Sequence, residues 1–210
     1  YPCIESYQVP LLEDTREIER PADQNTITRR HTERSVKFIE ENRERPFFLY
    51  LAHSLPHIPL FCDPDFRGSS KGKSLYADVI EEIDWSVGEI LTALRKSDLE
   101  DNTVVVFSSD NGPWLRFMTH GGSSGPLRAG KGTTFEGGQR VPTIFWGPGI
   151  VKPGIVREIG SATDLMATFA GLAGVSIPDD RKLDTIDLSP VLKGTGPGSR
   201  TEFFYWTRAE

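Results

Sequence analysis

The spacing of apolar positions changes along the chain, and each change marks an element. Between Thr26 and Glu41, residues Ile27, His31, Ser35, Phe38 and Ile39 fall on one stripe with charges around the rest. That spacing predicts an amphipathic helix. Pro46 then opens an apolar run without alternation, Phe47-Phe48-Leu49-Tyr50-Leu51-Ala52. Such a run suits a strand buried on both faces of a parallel sheet. Pro56, Pro59 and Pro64 forbid helix across residues 53–67, and residues 68–74 read as a flexible loop. Leu75, Val79, Ile83, Val87, Ile90 and Leu94 predict a long amphipathic helix. A turn at Asp101-Asn102 leads into a second buried strand, Thr103–Ser109. Residues 112–140 are glycine-rich and aperiodic, as functional or disordered loops are. Strand character resumes over Val141–Trp146, and Gly147-Pro148-Gly149 ends it. Residues 164–173 predict a short helix with Ser161 or Thr163 as its cap. Residues 184–192 read as a loop with a short turn, and Glu202–Trp206 as the start of a further strand. The first 25 residues lack periodicity and read as a surface excursion.

This βα alternation predicts an α/β fold with a mostly parallel sheet. Ligands of such sheets sit beyond the carboxyl ends of the strands. His53 and His57 follow one predicted strand, and Asp110 and Asn111 follow another. The pattern therefore sends both pairs to one edge of the sheet.

Length and charge narrow the classes. The 210 residues suffice for one substantial domain with a core. A net charge of −6 argues against nucleic acid as a partner, while leaving room for a local basic pocket. No apolar run approaches the roughly 20 residues that span a bilayer. The chain opens on Tyr1-Pro2-Cys3 without an initiator Met or a leader pattern, which reads as a fragment or a processed piece. Cys3 and Cys62 are too few for a disulfide framework and have no metal-like spacing, so they read as two unpaired thiols.

Chemistry concentrates in two segments. Thr103-Val-Val-Val-Phe-Ser-Ser-Asp-Asn-Gly-Pro113 stops abruptly and presents the Asp110 carboxylate and the Asn111 amide. Hard oxygens of this kind suit Ca²⁺ or Mg²⁺, and the same residues also make a strong turn. Gly125-Pro-Leu-Arg-Ala-Gly-Lys-Gly-Thr-Thr-Phe-Glu-Gly-Gly138 carries Lys131 between two glycines. There a lysine is either a point charge for a sulfate or phosphate, or a solvated loop residue. His57, set between prolines, is placed to donate to an oxyanion or protonate a leaving group, or is a satisfied structural histidine. His53 reads as structural and His31 as a core residue, while His120 is open. Glu136 and Arg140 read as an ion pair holding the loop, with Arg128 as a weaker candidate for a second anion contact. Trp85 and Trp114 are core or pocket wall.

Together these segments resemble the type I sulfatases, the arylsulfatase group of the alkaline phosphatase-like superfamily. The matching stretches are Pro46–Ala52 with His57-Ile58-Pro59, Val106–Pro113, Gly121-Gly122, Gly125–Gly138, Asp187-Leu-Ser-Pro-Val-Leu192 and Phe203–Trp206. The likeness runs over roughly residues 26–206, several blocks in matching order. It implies an α/β/α sandwich with a mostly parallel central sheet, incomplete on its N-terminal side. Residues 1–198 would be the C-terminal part of the catalytic domain, and 199–210 the start of a small C-terminal sheet subdomain. By the family pattern, Asp110 and Asn111 are calcium ligands, and Lys131 and His57 contact the sulfate, with His57 aiding departure of the leaving oxygen. The family's nucleophile is a hydrated formylglycine made from a C/S-x-P-x-R motif, which neither Cys3 nor Cys62 begins. The expectation is a fragment of a calcium-dependent sulfuric ester hydrolase, inactive in isolation. Its substrate would be a small-molecule or carbohydrate sulfate ester, and its location periplasmic, extracellular or lysosome-like by family analogy. The rival readings are a phosphatase or phosphodiesterase of the same superfamily, and an inactive relative that binds sulfated ligands.

Overall fold

A computed structural model of the chain describes residues 8–205. Cys3 and Trp206, which carry parts of the expectations above, lie outside the described residues. The chain divides into two compact units. The first holds the residues before Glu100 together with Leu115–Ser123; the second holds Glu100–Trp114 and the residues from Ser124 on.

The first unit is built on two helices, α1 (Ile27–Glu41) and α2 (Leu75–Lys96), which pack on each other. Ser74 caps α2 by accepting from the Ala77 amide at 3.2 Å, and Arg95 and Lys96 sit at its negative end. The buried face of α1 is Ile27, Thr28, Thr32, Ser35 and Ile39, so the stripe is rotated toward two threonines and leaves His31 half-buried. Small hydroxyl residues are tolerated there because their donors are used. Thr32 Oγ1 lies 2.7 Å from the Thr28 carbonyl and 2.6 Å from Ser86 Oγ on α2. Below this seam, Leu55, Leu60, Cys62, Val79 and Ile83 form an apolar cluster. Ahead of α1, Leu11–Glu13 (β1) pairs antiparallel with Arg16–Glu19 (β2). The excursion expected here is thus partly a hairpin. Asp14, at φ 54°, makes its tight turn, and Asp is among the residues that tolerate this conformation.

Residues 47–52 depart from expectation. They form no strand and pair with none of the described strands. One side packs, with Phe47 edge-on to Phe38 at 5.7 Å, while Phe48 and Tyr50 are 69% and 80% exposed. An apolar run becomes a strand buried on both faces only when neighbours supply ladders and layers.

In the second unit, Val105–Ser108 (β3) pairs antiparallel with Thr143–Trp146 (β4). The expected parallel arrangement is therefore not formed among the described residues, where both ladders are antiparallel. The connection explains this. A parallel pair needs a crossover, usually a packed helix. Between β3 and β4 the regular structure is instead a 3₁₀ segment at Leu115–His120 and the single turn α3 (Glu136–Gln139). In this two-stranded sheet of the described residues, Phe107 and Ile144 stay exposed.

The helix α4 (Asp164–Leu172) falls where its periodicity places it. Neither expected cap residue caps it in the ordinary way. Asp164 itself accepts from the Ser161 amide at 2.8 Å. The loop expected at 184–192 ends in a helix, α5 (Ser189–Lys193). Pro190 in its first turn and Gly194 at φ 64° after its end are its start and stop. Glu202–Tyr205 forms no strand.

Candidate functional site

The second unit brings the turn after β3 and the glycine-rich loop into direct backbone contact. Gly112 N donates to Gly138 O at 3.0 Å, and Lys131 N donates to Pro113 O at 2.9 Å. Gly137 N donates to Arg128 O at 2.8 Å, which folds the loop on itself. The glycines are required by space. A Cβ on Gly112 would lie 1.8 Å from Gly137 O, and one on Gly137 would lie 2.1 Å from Ala129 O. Asp110, Asn111 and Lys131 therefore belong to one loop cluster, anchored by main-chain bonds rather than by side chains.

Within that cluster Asp110 is exposed and Asn111 half-buried. Asn111 Nδ2 donates to the Gly112 carbonyl at 2.9 Å. Lys131 is half-buried, with its ammonium 5.1 Å from the centre of the Trp114 ring. Among the described residues no carboxylate pairs with it. Arg128 likewise lies over an aromatic face, that of Phe135, at 3.7 Å. Glu136 and Arg140 form the expected exposed ion pair, at 3.0 Å.

His57 belongs to the first unit and is exposed between two cis prolyl bonds, Leu55-Pro56 and Ile58-Pro59. Its Nδ1 donates to the Ile58 carbonyl at 2.6 Å. A carbonyl only accepts, so the Nδ1 proton is committed to it. His53 is structural in its contacts: Nε2 lies 3.4 Å from Ser86 Oγ, and burial, then His31, push the ring down from its ordinary pKa. Trp85 is a packing residue, tilted on Phe66 at 5.6 Å and stacked by Arg29 at 5.0 Å.

Sequence reasoning missed several buried charges. Glu82 is fully buried, accepts the Asp63 amide at 3.1 Å, and burial pushes its carboxyl up. Beside it, burial and then Glu82 push the Cys62 thiol up to about 12. Asp164 is also fully buried and receives Arg200 at 2.6 and 2.9 Å. Their spacing on the core stripes of α2 and α4 is the signal that would have found them. A hollow of about 530 Å³ opens among Lys182, Asp184, Arg200, Glu202 and Phe204, and contains none of the predicted site residues. Arg200 is occupied there by Asp164 and Asp184.

Asp110 and Asn111 fit calcium in kind, since both offer hard oxygen, but they are two donors where the ion takes about six to eight. Among the described residues no group of three or more His, Cys, Asp or Glu side chains is placed to hold a metal. The C/S-x-P-x-R pattern of a formylglycine precursor occurs once in residues 1–210, at Ser124-Gly125-Pro126-Leu127-Arg128 within the glycine-rich loop, where Ser124 Oγ donates to the Leu127 carbonyl at 3.0 Å.

A strand end carrying oxygen donors is thus tied by main-chain bonds to a glycine loop carrying a lysine. The model of the Sulfatase family matches residues 5–175, and the chain belongs to that family. It is 46% identical over 166 residues to arylsulfatase A of Bos taurus, covering 79% of this chain and 32% of that protein. It is 40% identical over 201 residues to steryl-sulfatase of Mus musculus, covering 93% of this chain and 32% of that protein. The crystal structure of the PsFucS1 sulfatase from Pseudoalteromonas sp. superposes with a TM-score of 0.84 at 31% identity, covering 90% of this chain and 40% of that one. The chain thus spans about a third of the length of the curated relatives it matches. Among the described residues no helix is long and apolar enough to cross a membrane.

Proposed function

We propose that this chain forms part of a calcium-dependent sulfuric ester hydrolase acting on a small-molecule or carbohydrate sulfate ester. The observation that carries the reading is the main-chain junction between the two site segments: Lys131 docks on Pro113, two residues beyond Asn111. Membership of the Sulfatase family supports it. Asp110 and Asn111 would hold calcium, which when bound supplies positive charge beside the sulfate oxygens. Lys131 places a fixed cation on the sulfate and stabilises the negative charge that grows there. His57, with its Nδ1 proton held by Ile58, delivers a proton from Nε2 to the departing oxygen.

The same reading assigns residues 1–198 to an α/β/α sandwich whose sheet is mostly parallel when complete. It assigns 199–210 to the start of a small C-terminal sheet subdomain. The exposed apolar side of residues 47–52 supports the first assignment, because Phe48 and Tyr50 are what a further layer would cover.

The test uses the complete natural polypeptide that carries this chain. It should release sulfate from an aryl sulfate faster than phosphate from the matching phosphate ester. Lys131→Ala and His57→Ala should each lower kcat/KM by about 100-fold or more, the scale of a lost charge-stabilising donor or general acid. Unchanged turnover in both variants would falsify the assigned roles.

A further inference from the structure

We propose that Trp114 is a positioning residue for Lys131, holding its ammonium in place by the face of the indole ring. The proposal rests on the reading of Lys131 as the sulfate-binding cation. Three observations carry it. The ammonium lies 5.1 Å from the ring centre, inside the roughly 6 Å range of a cation–π contact. Ring and lysine share one frame, because Lys131 N bonds to Pro113 O, the carbonyl immediately before Trp114. No carboxylate among the described residues takes the ammonium.

The last point separates this arrangement from an ordinary salt bridge. A lysine held by a carboxylate is ordered but neutralised, and an incoming sulfate must compete with a resident anion. A lysine held by an aromatic face is ordered while keeping its full charge, since the ring attracts through its quadrupole and carries none. A lysine held by nothing must be immobilised each time sulfate binds, at the expense of its rotamer freedom. The indole thus supplies preorganisation without neutralisation. The flanking glycines, Gly130 and Gly132, bring no side chains of their own to orient the ammonium.

Replacing Trp114 in the complete natural polypeptide by mono-, di- and tetrafluorinated tryptophan tests this directly. Fluorination drains the ring face with little change of shape, so a merely structural tryptophan is indifferent to it. Turnover of an aryl sulfate should fall stepwise in kcat/KM along the series. Trp114→Leu should lie about 2- to 30-fold below the parent, the span of a cation–π contact, and Trp114→Phe between them. In a Lys131→Met background the fluorinated series should be flat. A flat series in the parent, or equal slopes in both backgrounds, overturns the proposal. A parent that hydrolyses no sulfate ester sinks the sulfatase reading alone. The ring contact is then decided by NMR. The Lys131 ε-methylene protons should be shifted upfield by the ring and return on Trp114→Leu, whereas unshifted signals in the parent overturn it.

Discussion

Substituting Gly112 by alanine asks whether the junction between turn and glycine loop is as tight as its hydrogen bonds imply. The backbone at Gly112 is not left-handed, so alanine is locally acceptable there and the cost is purely one of space. The added Cβ would sit 1.8 Å from the Gly137 carbonyl oxygen and 3.2 Å from Gly138 Cα. A main-chain oxygen cannot swing away as a side chain can. Relief requires the turn and the loop to separate, which breaks the 3.0 Å bond from Gly112 N to Gly138 O. Overpacking costs about 1–3 kcal/mol, and the lost bond adds about 1 kcal/mol, so the sum is about 2–4 kcal/mol. For a cooperative unit of about 150–250 residues that lowers the melting temperature by about 4–16 °C. Two controls frame the measurement. Gly154 has open space and no left-handed φ, so Gly154→Ala should be neutral or stabilising by up to about 1 kcal/mol. Gly125, at φ +57° with open space, should lose about 1–2 kcal/mol from backbone strain alone. Urea denaturation of the complete natural polypeptide reads all three. A Gly112→Ala variant within about 1 kcal/mol of Gly154→Ala would refute the reasoning, because the close approach would then be absent in solution.

Other outcomes follow from the buried charges. Arg200→Ala strands the fully buried Asp164 carboxylate and should cost about 3–5 kcal/mol by the same urea assay; a loss under about 1 kcal/mol contradicts the pairing. Burial pushes the Asp164 carboxyl up, but Arg200 and the Ser161 and Ile186 amides outweigh it and hold it below the usual carboxylate range. A depressed carboxyl contributes stability that is present above its unfolded pKa and disappears as pH falls through the folded one. Stability should therefore decline below about pH 4, and Arg200→Ala should flatten that decline; parallel curves for parent and variant contradict it. Cys62 is fully buried, and burial and Glu82 push its thiol up to about 12. Iodoacetamide at neutral pH should leave Cys62 unlabelled in the native protein and alkylate it after unfolding, as read by peptide mass spectrometry.

Helices were the most legible part of the fold. The stripes through Ile27–Ile39 and Leu75–Leu94 placed α1 and α2 almost to the residue, because an amphipathic face is a local property. What the stripes hid was the polar half of the interface, where Thr28, Thr32 and Ser86 satisfy one another and so pass for surface residues. Strand pairing was far less legible. The apolar runs at Phe47–Ala52 and Val105–Ser108 carry no record of their neighbours, and among the described residues the first pairs with no strand while the second pairs antiparallel. The short hairpin β1–β2 escaped because its two strands are charged and half open, although Asp14-Thr15 was a readable turn. In the site, the glycines and Lys131 were legible as a loop with one lysine. The main-chain bonds that tie the loop to Gly112 and Pro113, and the ring beneath Lys131, were not, since neither depends on spacing in the sequence.

The central claim is that a hard cation and a tetrahedral anion meet where β3 gives way to the glycine-rich loop. The most direct measurement is an experimental structure of the complete natural polypeptide with calcium and inorganic sulfate. The account predicts calcium about 2.3–2.6 Å from an Asp110 oxygen, and a sulfate oxygen within about 3 Å of Lys131 Nζ. A sulfate bound away from Lys131, or a Lys131 Nζ more than about a dozen ångströms from the Asp110 carboxylate, would contradict it.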